Sequence, residues 1–319
     1  MLGKLIGFGG FSRVFEYIQE DKPDCWIKII ASGKKISPEK AAGIVFNEGM
    51  AMEQIGSHPN IVKLIGTYPA SSIEVGGNEY NASYLLLEKW ANGSLANVIK
   101  NTGPLEENIA RFIFMQIWTV IKFIHEKGFA HLDIKLENIL LDEFFNIKIS
   151  DFGTAEYVDD CFGFTSKEWG TKGYMAPEIT STDRDDNFDA YTADCFSLGV
   201  CLNLLLTGQF PSENQMVPKY FTTNSSDESM SDESECDKME WKILEESSTI
   251  YDTLSEDLKI LLDEMLDEDP CNRLSIYDVV KSEWFKHSFP DNIASLVFEE
   301  MSARIQHIEN SKSVSLYNF

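Results

Sequence analysis

Short apolar runs dominate the first part of this chain, and apolar residues at helical spacing dominate the rest. Ile6-Gly7-Phe8-Gly9-Gly10-Phe11-Ser12-Arg13-Val14 reads as strand, glycine-rich turn and strand. Cys25-Trp26-Ile27-Lys28-Ile29-Ile30 is a strand-like run interrupted by one lysine. Ser37-Pro38-Glu39 opens a helix: a capping hydroxyl, a proline whose missing N–H costs nothing in the first turn, and an acid near the positive end of the dipole. That helix is expected to end near Ile55. Tyr84-Leu85-Leu86-Leu87 continues as a buried strand into Glu88-Lys89-Trp90, and Asn92-Gly93-Ser94-Leu95 turns the chain. From Leu105 to Lys127 the residues Ile109, Phe112, Ile113, Ile117, Val120, Ile121 and Ile124 recur at helical spacing and predict a core helix. Short strands are expected over Ile139 to Leu141 and Ile147 to Ser150. A last helix is expected over Pro290 to Ile308, with Ile293, Leu296, Val297, Met301, Ile305 and Ile308 on one stripe packed against the rest.

Composition narrows the class. The 319 residues are 43% hydrophobic and 12% aromatic, as in a soluble globular protein large enough for one or two coupled domains. No apolar run is expected to span a bilayer, and Met1 leads almost directly into glycine-rich sequence rather than a signal peptide. The six cysteines form no C-x-x-C pair, so a zinc site or disulfide framework is not expected and a cytoplasmic or nuclear setting is. A net charge of −25 opposes nucleic-acid binding and leaves room for basic peptide substrates. Part of that charge sits in Thr222 to Lys238, an acidic, serine-rich stretch with too few apolar groups to pack.

The chemistry is concentrated in His131-Leu132-Asp133-Ile134-Lys135-Leu136-Glu137-Asn138, followed closely by Asp151-Phe152-Gly153. Asp133 is a carboxylate able to orient an attacking hydroxyl and accept its proton. Lys135 is a cation within reach of a transferring phosphoryl group. Asn138 and Asp151 offer the oxygen ligands that Mg2+ prefers. Glycines at 7 and 9 let a backbone approach phosphates closely.

These motifs, in this order, resemble the eukaryotic protein kinase catalytic domain, and the match runs from Leu5 to about His287. The resemblance implies an α+β, two-lobed fold: a small β-rich lobe with one main helix over residues 1–88, a larger helical lobe over 89–287 with the acidic insert at 222–238, and a helical tail over 288–319. It implies ATP and Mg2+ as reactants, protein serine or threonine hydroxyls as acceptors, and a monomeric chain acting without nucleic acid or membrane. Lys28 would hold phosphates and pair with Glu48, with Glu53 as the other candidate. Ile6, Gly7, Gly9, Val14, Leu87 and Leu140 would surround the nucleotide, and the backbone of Glu88 and Trp90 would meet the adenine edge. Asp133, Lys135, Lys28 and Glu48 would serve catalysis, and Asn138 and Asp151 would hold the metal. Met52 would pack toward Leu64, Phe152 and His131. Asp194 would hold the catalytic-loop backbone, and Glu178 would pair with Arg273. Serine/threonine selectivity follows from Lys135 and Gly170-Thr171, and finer details are similar to the calmodulin-dependent and AMP-activated group.

The chain departs from that family in four places. Ser12 replaces the third glycine of the loop. Leu132 replaces an arginine that meets a phosphate on the activation loop, so activity independent of loop phosphorylation is expected; Lys167 stands where a phosphothreonine often sits, with Thr165 and Ser166 beside it. Trp26 replaces a small residue over the adenine ring, where an indole would either crowd the base or stack on it. Ser94 replaces one of two acids that select basic substrates, leaving Glu137 as the other. The competing reading is a pseudokinase, a kinase fold used as a binding scaffold.

Overall fold

A computed structural model describes residues 1–9, 12–18, 24–30, 32, 36–180, 187–211 and 247–316; the acidic insert lies outside them. The small lobe is a five-stranded antiparallel sheet, β1 (Leu2–Phe8), β2 (Ser12–Tyr17), β3 (Cys25–Ile30), β4 (Leu64–Val75) and β5 (Asn78–Leu87), in the order β1-β2-β3-β5-β4. Alternation along β3 divides its side chains. Cys25, Ile27 and Ile29 pack with Tyr84 and Leu86 on the outer face, while Trp26 and Ile30 join the core that continues into the large lobe. Helix α1 (Pro38–Ile55) begins where its cap predicts, Ser37 Oγ accepting from Lys40 N–H at 3.2 Å. Gly49 lets α1 sit close on β4, since a Cβ there would lie 2.3 Å from Thr67 Oγ1. That approach brings the neighbouring Glu48 down to the sheet.

The large lobe adds α2 (Leu95–Thr102), α3 (Glu107–Glu126), β6 (Phe129–Ala130), β7 (Ile139–Leu141), β8 (Ile147–Ile149), β9 (Glu156–Tyr157), β10 (Phe164–Thr165), α4 (Pro177–Thr180), β11 (Phe188–Asp189) and α5 (Ala190–Thr207). After the insert come α6 (Ser247–Thr253), α7 (Glu256–Met265), α8 (Ile276–Val279), α9 (Glu283–Lys286) and α10 (Ile293–Leu316). Helix α3 starts two residues inside the expected range because Glu106 caps it, its carboxylate accepting from the N–H groups of Asn108 and Ile109. Helix α5 corrects the expectation about apolar runs: by length and composition alone its 18 residues would cross a membrane. The sequence is apolar all round because the helix is buried all round, at the centre of the lobe. The tail helix α10 packs on α2 and α3. There Arg304 spans the end of α2, donating to the carbonyls of Gly103 and Pro104 and to Thr102 Oγ1, which satisfies oxygens the helix leaves open.

Candidate active site

The cleft between the lobes is a cavity of about 240 Å3 that holds most of the residues expected around a nucleotide. Ile6, Gly7, Gly9, Val14, Lys28 and Leu87 line it from above, with Trp90, Asn138, Leu140 and Asp151 completing the wall. Phe8, Ser12, Gly93, Ser94, Glu137 and Ser150 also line it. Gly9 and Ser12 exchange backbone hydrogen bonds across the turn of the glycine-rich hairpin. A Cβ on Gly9 would come within 2.6 Å of Ser12 Oγ, so the turn needs glycine at position 9. Glu88 is set back from the cleft: its N–H is spent on the Lys63 carbonyl, and its carboxylate accepts from Lys63 N–H and Lys148. Only its carbonyl is left for a base. Trp90, by contrast, makes no backbone hydrogen bond among the described residues.

Lys28 ties the upper half of the site together. Its ammonium lies 2.8 and 2.9 Å from the two oxygens of Glu48 and 2.8 Å from Asp151 Oδ1. Burial alone would drive that ammonium toward neutrality, but the charges and hydrogen bonds of Asp151 and Glu48 override it and raise the pKa. Burial pushes the Glu48 carboxyl up, against the pull of Lys28. Burial also pushes Asp151 up, but Lys28, with Lys135 and His131, brings it down from the usual 3.8 to about 2. Glu48 is therefore the partner of Lys28. Phe152 and Met52 are buried in one cluster with Leu64 beside them, and the His131 and Phe152 rings stand 5.1 Å apart.

The lower half centres on Asp133. Lys135 lies 2.8 Å from Asp133 Oδ2, and Thr171 Oγ1 donates to Asp133 Oδ1 at 2.6 Å while accepting from Lys135 at 2.7 Å. Asn138 spends its NH2 group on the carbonyl and carboxylate of Asp133, at 2.9 and 3.1 Å. Its side-chain oxygen then points elsewhere, without a protein partner among the described residues. Asp151 keeps Oδ2 in the same condition, on a side chain 39% exposed toward the cleft. Two open oxygens on fixed side chains fit a hard divalent cation that keeps its remaining ligands as water or phosphate. Thr171 belongs to a segment read for acceptor selectivity, but its bridge between Asp133 and Lys135 is a contact across 38 residues that no local pattern announces.

Further locks hold this geometry. The N–H groups of His131 and Leu132 donate to the Asp194 carboxylate at 2.8 Å, and His125 Nε2 lies 2.9 Å from it. Leu132 adopts a φ of 62° and is buried, so an apolar side chain fills its site. Arg273 grips Glu178 with two parallel bonds of 2.5 and 2.8 Å. Glu137, the remaining acid for basic substrates, is spent on Lys100 at 3.0 Å and on the Tyr174 hydroxyl at 2.9 Å. A slightly larger cavity of about 270 Å3 lies behind α1, between Met52 and Gly66, and contains none of the catalytic groups.

The family model described as "Protein kinase domain" matches residues 1–285. Among curated proteins the chain is 32% identical over 292 residues to CBL-interacting serine/threonine-protein kinase 7 of Arabidopsis thaliana, covering 90% of this chain and 60% of the relative. It is 31% identical over 293 residues to CBL-interacting protein kinase 33 of Oryza sativa subsp. japonica, covering 90% and 57%. The cell cycle serine/threonine-protein kinase CDC5/MSD2 of Saccharomyces cerevisiae is 30% identical over 298 residues, covering 93% of this chain and 38% of that one. The chain thus spans at most 60% of the length of these relatives.

Proposed function

The chain belongs to the protein kinase family, and from that premise we propose that it transfers the γ-phosphoryl group of Mg-ATP to serine or threonine hydroxyls of proteins. The observation that carries this reading is the Asp133 carboxylate, fixed by Lys135, Thr171 and Asn138 below a cleft whose roof lysine is already paired. A scaffold would have no need of that arrangement, and every group it requires is in place.

The reaction is mostly a matter of positioning and charge. Asp133 accepts a hydrogen bond from the incoming hydroxyl and takes its proton as the oxygen attacks phosphorus. Lys135, beside it, stabilises the negative charge that develops on the transferring group. Lys28, held protonated between Glu48 and Asp151, supplies a fixed cation for the nucleotide phosphates. Asn138 and Asp151 would hold magnesium, which neutralises phosphate charge when bound. Thr171 keeps Asp133 and Lys135 in register. The Glu88 carbonyl and the Trp90 backbone groups are left open to a base at the hinge.

The acceptor in this proposal is a protein hydroxyl without a required basic flank, because Ser94 is neutral and Glu137 is engaged. A reducing, cytoplasmic or nuclear location is part of the same reading, and the scattered spacing of the six cysteines is what supports it.

Phosphoryl transfer from labelled Mg-ATP to the protein itself and to mixed serine and threonine peptides tests the proposal. Asp133→Asn is expected to lower the rate by about 10²–10⁴-fold, the worth of a positioned general base. Equal rates in wild type and variant, or none in either across metals and ATP concentrations, would overturn it.

A further inference from the structure

Trp26 lies on the cleft side of β3, two residues from Lys28 on the same face. In register it faces Leu87, the last residue of β5 before the hinge. The indole is buried and is not among the side chains that line the remaining cavity, but its neighbours Leu87 and Trp90 are. Its ring stands 5.5 Å from that of Trp90, tilted by 56°. The Lys89 ammonium sits 5.0 Å over the Trp26 ring, within cation–π range. Lys89 is itself anchored, bonding Glu16 at 2.7 Å and Asp24 at 3.3 Å. A hinge residue is thus tied to the start of β3 and to β2, with the indole clamped beneath.

The cleft that remains, about 240 Å3, falls below the roughly 300–1,000 Å3 of pockets that enclose ligands of drug size. The Trp26 Nε1–H is buried with no hydrogen-bond partner among the described residues. A buried donor without a partner is a penalty that a rotated indole would relieve.

We propose that Trp26 is a plug in the base end of the nucleotide cleft, clamped by Lys89 against Trp90, and that it moves aside before adenine seats. The inference rests on the kinase reading and adds to it a built-in filter on nucleotide affinity. Phosphates, which enter at the Lys28 and Asp151 end, meet no such obstacle.

Calorimetric titration of the full chain with Mg-ADP and with Mg-pyrophosphate, for wild type, Trp26→Ala, Trp26→Val and Lys89→Met, separates base from phosphate. ADP is expected to bind about tenfold tighter to both Trp26 variants and severalfold tighter to Lys89→Met, with pyrophosphate affinity unchanged throughout. Should Trp26→Ala fail a thermal-melt check of folding, Trp26→Val and Lys89→Met carry the comparison. ADP affinity that stays level or falls in the folded variants, while pyrophosphate still binds, overturns the plug and leaves the kinase reading standing. Folded proteins that bind neither ligand overturn both.

Discussion

Asp151 shows at the scale of one residue how neighbours decide chemistry. A carboxyl partly withdrawn from water should resist ionisation, but the Lys28 ammonium 2.8 Å away more than compensates, and the pKa falls to about 2. The sign of the stability effect follows. A depressed pKa contributes stability that is complete above the unfolded value near 4 and is lost as pH falls toward 2. Acid unfolding followed by circular dichroism should therefore show an Asp151→Asn variant with a shallower loss between pH 4 and pH 2 than wild type, and no difference in slope between pH 5 and 8. An identical acid limb in both proteins would mean the pair is not coupled to folding. The residues themselves were legible: Lys28, Glu48, Asp133, Asn138 and Asp151 stand in motifs. Illegible were the commitments each had already made. Glu137 is occupied by Lys100 and Tyr174, and the Glu88 N–H is committed to Lys63, which leaves only the Glu88 carbonyl for a base. Such partners lie tens of residues away, beyond the reach of spacing.

The activation segment makes the same point for an element. Leu132 removes the arginine that would greet a loop phosphate, and the structure supplies a different anchor. Glu156 accepts from Thr165 Oγ1 at 2.8 Å and pairs with Lys167 at the same distance, so β9 and β10 are tied by side chains of the loop itself. Thr165 is only 5% exposed, a poor target for another kinase. Phosphatase treatment is expected to leave the transfer rate within about twofold, while Thr165→Ala lowers stability of the segment by about 1 kcal/mol, the worth of one hydrogen bond. Limited proteolysis of the segment would report the second effect. Loss of nearly all turnover after dephosphorylation would show that a phosphate is needed after all. Helix α1 was fully readable because its start is written locally in Ser37 and Pro38, and its stop in Gly56, which takes a φ of 84°. Helix α10 was readable in kind but not in length: it begins at Ile293 and continues to Leu316, past the last apolar position of its stripe.

Across the whole molecule, buried polar contacts join parts that sequence separates widely. Arg273 and Glu178 are 95 residues apart, and the Arg273 side chain is wholly buried. Removing one charge from such a pair leaves the other desolvated without compensation. Glu178→Gln should cost about 3–5 kcal/mol in urea unfolding; a cost below 1 kcal/mol would mean that solvent reaches the guanidinium in place of the carboxylate. By itself the sequence determined the motifs, the local helix caps and strands, the family resemblance and with it the two-lobed fold, because those depend on residue type, short-range spacing and order along the chain. The sequence already placed Glu48 ahead of Glu53 as the partner of Lys28; only the tertiary structure decided, through the Gly49 contact, how close α1 comes to the sheet and so the 2.8 Å distance of that pair. It also decided that Thr171 bridges Asp133 and Lys135, and that an all-round apolar stretch is the centre of a lobe. The Trp26 alternatives, crowding or stacking, were open in the sequence because each depends on where an indole comes to rest. That position is fixed by Trp90 and by the Lys89 ammonium, residues more than 60 positions away that only folding brings beside it.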